Sequence, residues 1–540
     1  MIYKLAACAL VLIASAWGAT ALAQDGTNDF QNCDGYRPPS GNNDGMSSSG
    51  GFWLGPGDRV RRTPNLRTGL EACTRALSTL DGFPNAWLRR VSILQSRAIH
   101  RLNQGDLPGA LEDLDLADAA AAEPQDPFYL RSLAINTNLI RAYALVEGGD
   151  QAAAEALVMT TWAQRPYSIE VVGAALTIVG EEASQESLDR LMRAAGQIDP
   201  SLSGLIFKHE FETGRFEAAL ADYTEIVAPM RNGDRGVGVS RTEMIVHAEQ
   251  QRIRMELFLI SVMGQKAYAL AALGRNEEAR AALEVARARI AQATSPGMSA
   301  SPGTVEYVRL MARQRSNQEI QSHAPTIRDA WAKLVEARIA ASEGRFEDAR
   351  AAFEGVDVLP SYAVVDLMVA AHADEASIAE ARQTLPPARL GLADRNPETM
   401  FSWLLDAETF DRTTNRVSFM DALLGDGTAG DRDCEQGVQG AGQTKVCYSA
   451  FDATLAVTQE RALLRAAARA ARRGGRFRIE QREDIQHAIV GGYGGQTQDG
   501  FETSLTIRFF DAEDTCARCI SAADVQASLA SIYNSSPARQ

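Results

Sequence analysis

Apolar residues recur with helical spacing over most of the chain, from about residue 65 to residue 405. Apolar positions three and four apart, with polar positions between them, are typical of amphipathic α-helices that pack on one another. The period changes near the C-terminus, where Arg476-Phe477-Arg478-Ile479-Glu480 alternates charged and apolar residues as a half-buried strand does. The sequence therefore predicts a mainly α protein with a helical repeat domain over 65–405 and a small α+β domain over 443–540.

The α+β domain is predicted to have the order β-α-β-β followed by a last helix. A polar, Gly-rich stretch over 425–442 precedes it and has the composition of a linker. The predicted elements are a strand over Val446–Thr454, a helix over Gln459–Arg472, strands over Arg476–Arg482 and Thr503–Phe510, and a helix over Ala522–Tyr533.

The first residues have the order of a secretory signal peptide. Lys4 is followed by an apolar run from Leu5 to Trp17 and by the small-x-small sequence Ala21-Leu22-Ala23. The run is shorter than the about 20 residues that span a bilayer. We therefore expect residues 1–23 to be cleaved after Ala23 and the mature chain to be periplasmic, with outer-membrane association as an alternative.

Residues 24–64 are rich in Gly, Asn, Ser and Pro. Such a composition buries too little apolar surface to offset the entropy lost on ordering. We expect this segment to be a disordered arm.

One signature recurs along the helical region: a glycine is followed five residues later by an alanine. The glycine allows the tight turn that ends one helix, and the small alanine lets the next helix approach closely. The pairs are Gly105 with Ala110, Gly149 with Ala154, Gly214 with Ala219, Gly274 with Ala279, and Gly344 with Ala349.

These pairs resemble the tetratricopeptide repeat, a helix-turn-helix unit of about 34 residues. The resemblance covers about 65–360, although the glycines here are spaced more widely than the family's period. It implies an α-solenoid whose first helices line a groove that holds peptides or other envelope proteins.

Six cysteines remain once the signal peptide is removed, an even number that suggests disulfides in an exported chain. Pairing by proximity in the sequence joins Cys33 to Cys73, Cys434 to Cys447, and Cys516 to Cys519. Cys516-Ala517-Arg518-Cys519 also allows a catalytic interpretation. A cysteine at a helix N-terminus can have a lowered pKa and act in thiol redox exchange, so a redox factor is the alternative to a structural disulfide.

The predicted helix over Gln459–Arg472 carries Arg461, Arg465 and Arg469, and Arg473 continues the four-residue spacing just beyond it. This stripe is either a solvated helix face or a contact for anionic membrane lipid. Leu463-Leu464-Arg465-Ala466-Ala467-Ala468 with Gly475-Arg476-Phe477 resembles small alphaproteobacterial envelope lipoproteins over about 443–512, but the lipid-bearing cysteine of that family is missing.

The net charge of -15 argues against nucleic-acid binding, which depends on Lys and Arg neutralising phosphates. The histidines are scattered, with no His-Glu-x-x-His, and Gly491-Gly492-Tyr493-Gly494-Gly495 lacks the Lys of a phosphate-binding loop. The sequence thus offers no catalytic, cofactor or metal residues. It favours an interaction or scaffold protein of the cell envelope over an enzyme.

Overall fold

A computed structural model describes a large part of the chain. The described residues are 29–35, 38–39, 68–83, 85–123, 125–180, 183–223, 241–295, 305–353, 356, 362–384, 442–451, 455–490, 497–511, 513–514, 516 and 518–533. The predicted signal peptide, all of the predicted linker except Gly442, and Cys434 lie outside these residues.

The chain forms two compact units, and the first is discontinuous. Unit 1 combines Met1–Pro200 with Gly391–Gln540, and unit 2 consists of Ser201–Leu390. The units do not coincide with the helical and α+β regions expected from the sequence, because the C-terminal sheet belongs to the same unit as the first helices. The fold confirms the broader expectation of a mainly helical protein with a small sheet near its C-terminus.

Unit 1 begins with helices that pack as successive hairpins. Each first helix, α3 or α6, contacts its own second helix and the next first helix, and α8 then packs on α9. The helices are α1 (29–34), α2 (Gly69–Leu80), α3 (Trp87–Asn103), α4 (Leu107–Ala119), α5 (Pro127–Arg131), α6 (Leu133–Glu147), α7 (Gln151–Gln164), α8 (Ile169–Val179) and α9 (Gln185–Ile198).

The C-terminal part of unit 1 is an antiparallel sheet with two helices. Its elements are β1 (Gln443–Phe451), α18 (Leu455–Ala470), β2 (Arg476–Val490), β3 (Thr497–Phe510), β4 (Ile520–Ser521) and α19 (Ala522–Tyr533). The strand order is β1-β3-β2-β4, with Val446 opposite Leu505 and Ile479 opposite Ile507. A bulge after Ile479 shifts the register. The β-α-β-β order is the predicted one, and β2 and β3 form a longer hairpin than the sequence indicated.

One hydrophobic core runs through both chain segments of unit 1. It contains Leu88 and Leu133 from the first helices together with Val457, Phe477 and Leu529 from the C-terminal part. All five side chains are fully or nearly fully buried. The sheet and the first helices therefore share their apolar packing, and neither segment buries its surface alone.

The prediction of a disordered arm over 24–64 is wrong for residues 29–35. These residues include a short helix, in which Phe30 and Cys33 are fully buried. Cys33 forms a disulfide with Cys73, and buried Asp34 pairs with Arg89. The composition of the arm gave no sign of this, because a disulfide and one buried ion pair supply the contacts that a polar segment lacks.

Unit 2 continues the arrangement of helical hairpins. In the part of it that the structure describes, α10 and α12 each contact their second helix and the next first helix, and α14 contacts α15 and α16. The helices are α10 (Ser203–Glu212), α11 (Phe216–Asp222), α12 (Arg241–Ala272), α13 (Asn276–Ala293), α14 (Val305–Ser342), α15 (Phe346–Phe353), α16 (Tyr362–Ala370) and α17 (Glu375–Thr384).

An aromatic cluster forms the centre of unit 2. Trp331 on α14 packs edge-on against Phe211 and Tyr268, with ring centroids 6.0 and 6.4 Å away. Gly264 on α12 makes room for it, since a Cβ there would lie 2.1 Å from the indole ring. A glycine inside a long helix usually costs helical stability; here it allows α12 and α14 to approach closely.

The five glycine-alanine pairs have the same backbone geometry. Each glycine has a φ between 73° and 81°, and each alanine is fully buried. Each glycine N–H donates to the carbonyl three residues earlier, and the next N–H donates to the carbonyl five residues before it, as Gly274 to Ala271 and Arg275 to Leu270 do. This is the Schellman motif, which satisfies the last carbonyls of a helix.

Replacing Ala349 by Leu tests the close helix approach that the second half of the signature provides. Ala349 is fully buried in the core of unit 2, so the added side chain should lower the free energy of unfolding by about 1–3 kcal/mol. Ala351→Leu on the exposed side of the same helix is the matched control, with an expected change within about 0.5 kcal/mol. Native-state hydrogen exchange of α14 and α15 peptides measures both. Equal protection in the two variants would contradict the packing role of Ala349.

Candidate functional site

A group of buried charged residues joins the two chain segments of unit 1. Arg131 ends α5, Arg165 follows α7, Glu460 lies on α18, and Tyr533 ends α19. The Glu460 side chain has no exposed surface, and those of Arg165 and Arg131 are only 2% and 8% exposed. We call these four residues the Glu460 cluster.

Glu460 accepts hydrogen bonds from all three partners. Arg131 Nη2 donates to Glu460 Oε2 over 2.6 Å, and Arg165 Nε donates to Oε1 over 2.9 Å. The Tyr533 hydroxyl donates to Oε2 as well. Arg165 Nη1 also donates to the Arg131 carbonyl over 2.9 Å, so the two arginines are held to each other through the backbone. The carboxylate thus lies between two forked cations, a geometry that favours strong charge-assisted bonds.

The electrostatics of the cluster keep Glu460 ionised. Burial by itself raises the pKa of a carboxyl group, but the positive charges of Arg131 and Arg165 and the donated hydrogen bonds outweigh it and lower the pKa of Glu460 to about 2. Burial, and then the negative charge of Glu460, raise the pKa of Tyr533 well above its usual range. Neither group exchanges a proton near neutral pH, which suits a structural clamp and not acid–base catalysis.

A second polar group anchors α18 to the sheet. Asp484 on β2 accepts hydrogen bonds from Arg482 Nε over 2.9 Å, Gln459 Nε2 over 3.1 Å and Thr503 Oγ1 over 2.8 Å. Gln459 precedes Glu460 on α18. These adjacent residues hold the helix through two contacts: Gln459 bonds to Asp484 of β2, and Glu460 bonds to Arg131 and Arg165.

Sequence reasoning missed the Glu460 cluster, although α18 carried one signal. Glu460 falls on the apolar face of the helix, in register with Ala456, Leu463 and Ala467, all of which are buried. An acidic residue in an apolar stripe needs a buried cation as partner. Arg131 and Arg165, by contrast, lie at helix C-terminal ends, where the sequence does not distinguish them from surface arginines.

The structure joins Cys516 to Cys519 as a disulfide that closes the connection between β3 and β4. Helix α19 begins at Ala522 with the Ser521 hydroxyl accepting from Asp524 N–H, so neither cysteine lies in its first turn. Gln197 on α9 donates to the Cys519 carbonyl over 2.9 Å. The redox interpretation assumed a cysteine at a helix N-terminus, and neither Cys516 nor Cys519 has that position in α19.

The first half of the arginine stripe packs on tyrosines. Arg465 lies over the Tyr448 ring at 4.9 Å, and Arg461 lies 4.8 Å from the Tyr533 ring. Arg465 Nη1 also donates to the Cys447 carbonyl over 3.0 Å. These guanidinium groups are thus held within unit 1 by cation–π and hydrogen-bond contacts.

The second half of the stripe is more exposed. Arg469 Nη1 donates to the Lys445 carbonyl over 3.4 Å, and Arg473 lies over the Phe509 ring at 5.0 Å. Arg473 alone of the four is exposed, and the other three are half-buried. All four arginines thus contact other residues of unit 1.

The other cysteines lie as follows. Cys33 and Cys73 join α1 to α2, and Cys447 on β1 is disulfide-bonded, while its expected partner Cys434 lies outside the described residues. In the described part of the chain, no three His, Cys, Asp or Glu side chains are grouped in a way that could hold a metal ion. None of the helices described is both long and apolar enough to cross a membrane.

No protein-family model, curated protein or solved structure matches this chain.

Replacing Glu460 by Gln should destabilise unit 1 strongly. The substitution keeps the shape of the side chain but leaves two buried arginines without a counter-charge, which typically costs about 3–5 kcal/mol. Glu483→Gln, at a half-exposed position on β2, is the matched control and should change little. Urea unfolding with pulsed hydrogen exchange, read in α6 and α18 peptides, measures the loss. A Glu460→Gln protein as stable as the control would contradict a structural role for the Glu460 cluster.

The contribution of Glu460 to the free energy of unfolding should also depend on pH. The folded pKa of about 2 lies below the ordinary value of 4.5, so the stabilisation is complete above pH 4.5 and is lost as the pH falls from there through about 2. The difference in unfolding free energy between wild type and Glu460→Gln should therefore shrink across this window, because carboxyl groups common to both proteins cancel. Urea unfolding of both proteins at a series of pH values tests this. A difference that stays constant down to pH 2 would show that the stabilisation does not come from the ionised form of Glu460.

Proposed function

We propose that this protein is an exported interaction protein of the bacterial cell envelope, in which tetratricopeptide-like helical hairpins hold a peptide or protein partner. The single observation that carries the proposal is the repeated turn. Five glycines with positive φ, each with the same pair of backbone hydrogen bonds and each followed by a fully buried alanine, lie between consecutive helices of both units.

The packing order of the helices supports the same proposal. A first helix that contacts both its own partner and the next first helix is the arrangement expected of stacked repeats. Such stacking leaves one face of the first helices without a second helix on it. In the family that the turns resemble, that face is the binding groove.

Export is supported by the cysteine pairs and the N-terminal sequence. The Cys33–Cys73 and Cys516–Cys519 disulfides suit an oxidising compartment, and the order of residues 1–23 suits a cleaved signal. A periplasmic chain of this kind meets other envelope proteins first, and these are the partners we assign to it.

The first helices of unit 2 offer apolar anchors for a partner. Phe258 on α12 is 38% exposed and Met311 on α14 is 40% exposed. Large apolar side chains at the surface are the kind of residue that dominates peptide binding when a partner covers them. Val285 on the second helix α13 is 52% exposed and serves as a comparison of similar character on the other side of a hairpin.

Site-specific photo-crosslinking in cells tests the proposal. A benzophenone side chain placed at Phe258 or Met311 should capture one reproducible envelope protein, whereas the same group at Val285 should capture little of it, because the group reacts only with a partner that it touches. Capture that is equal at all three positions would contradict a groove on the first helices.

The same experiment separates the thiol redox alternative. Adducts that form without light and disappear on reduction, through Cys516 or Cys519, would indicate disulfide exchange with client proteins. Replacing both cysteines by Ser would remove such adducts and leave photo-adducts at Phe258 unchanged.

A further inference from the structure

A fully buried histidine lies where the N-terminal segment 29–35 docks on α2 and α3. His100 on α3 has no exposed surface, and its Nε2 lies 2.7 Å from the carbonyl oxygen of Cys33. Gly69 at the start of α2 leaves room for the ring, since a Cβ there would lie 2.1 Å from the imidazole Cε1. The imidazole thus fills the space between α1, α2 and α3.

The bond to Cys33 fixes the tautomer of this imidazole. A carbonyl oxygen only accepts hydrogen bonds, so Nε2 carries the proton and donates it. Nδ1 is then the unprotonated nitrogen, and within the described residues it has no hydrogen-bond partner. A second proton would bind at Nδ1 and place a positive charge and an N–H inside the fold. Both are costly when they are buried without partners.

The charges around His100 do not offset this cost. Burial lowers the pKa of His100 below its ordinary value of 6.5, and the Cys33 carbonyl and the negative charge of Asp34 raise it by less. Asp34 is paired with Arg89, whose side chain is also buried. The remaining charged residues of α1 to α4 are engaged in ion pairs of their own, which are Asp29 and Glu71 with Arg75, Asp81 with Arg90, Asp113 with Arg97 and Arg101, Asp106 and Glu112 with Arg101, and Asp115 and Asp118 with Arg141.

The segment that contacts His100 also closes over a disulfide. Cys33 is bonded to Cys73 on α2, and Phe30 of the same segment belongs to the core of unit 1. All three side chains are fully buried. Solvent and small reagents therefore reach the disulfide only after the segment moves away from α2 and α3.

From this geometry we infer that His100 makes the docking of segment 29–35 dependent on pH. The segment is closed while the imidazole is neutral. In the open segment the imidazole meets solvent and takes up a proton with its ordinary pKa, so acidification shifts the equilibrium toward the open form. The stabilisation that the neutral imidazole gives is complete above pH 6.5 and is lost as the pH falls below that value.

Reduction of the Cys33–Cys73 disulfide measures the opening in the full mature chain. A water-soluble phosphine is the reductant, and the half-buried Cys516–Cys519 disulfide corrects for the pH dependence of the reagent. The ratio of the two rates, read by mass spectrometry of alkylated thiols, should rise severalfold from pH 7.5 to pH 5.0. The ordinary pKa of 6.5 limits this rise to about thirtyfold. A ratio that does not change with pH would overturn the inference.

Two variants show whether His100 is the group that titrates. His100→Gln keeps a side-chain N–H for the Cys33 carbonyl but takes up no proton, so its ratio should stay constant. His323→Gln removes an exposed histidine of α14 and should behave as wild type does. Equal pH dependence in wild type and His100→Gln would overturn the inference. So would a parallel loss of hydrogen-exchange protection in α6, because unit 1 as a whole would then be unfolding.

Exchange of the imidazole C2 hydrogen tests the same point in wild type, without any variant that has to fold. Its rate follows the protonation of the ring, and mass spectrometry of the peptide that contains His100 measures it over a series of pH values. The titration midpoint of His100 should lie lower in the folded protein than in the protein unfolded by urea. An equal or higher midpoint in the folded protein would overturn the inference.

Discussion

The buried carboxylate of Glu460 is the constraint on which unit 1 depends. Two arginines from the N-terminal segment and a tyrosine from the last helix converge on it, and all four side chains are buried. A buried ion pair of this kind adds little stability relative to a well-packed apolar core, but removal of one member leaves an uncompensated charge. The cluster therefore works chiefly as a condition for correct assembly: Arg131 and Arg165 are tolerated inside unit 1 only when the C-terminal segment supplies Glu460.

The features that the sequence could predict are local. The positive φ of Gly274 and the burial of Ala279 follow from residues six or fewer positions apart, because a helix end and the start of the next helix are set by backbone sterics and a few hydrogen bonds. The strand that begins at Arg476 and the helix over Ala522–Tyr533 follow from local periodicity in the same way. The Cys33–Cys73 link was proposed from proximity alone and is present, yet the helix that it holds was not foreseen.

The features that escaped prediction are non-local. Arg131 and Glu460 are 329 residues apart, and Arg165 and Glu460 are 295 residues apart. Nothing within one helix specifies which of many arginines will meet a buried acid. The discontinuity of unit 1 has the same origin, since the shared core of Leu133 and Phe477 depends on which apolar faces meet and not on the period of either. The linker-like composition near residue 430 lies between the helical region and the first strand of the sheet. The boundaries of the compact units fall elsewhere, after Pro200 and after Leu390.

The role of the arginine stripe depends on the residues that surround it in the fold, and its spacing in the sequence does not determine that role. From the sequence, Arg465 and Arg469 fit a solvated face or a lipid contact, because both need only regular spacing of cations. In the structure, the same spacing matches the carbonyls of β1 and the ring of Tyr448. The Cys516–Cys519 pair is likewise tied to α9 through Gln197. The arginine stripe and the cysteine pair are thus engaged inside unit 1, and the binding role that we propose rests on the helical hairpins.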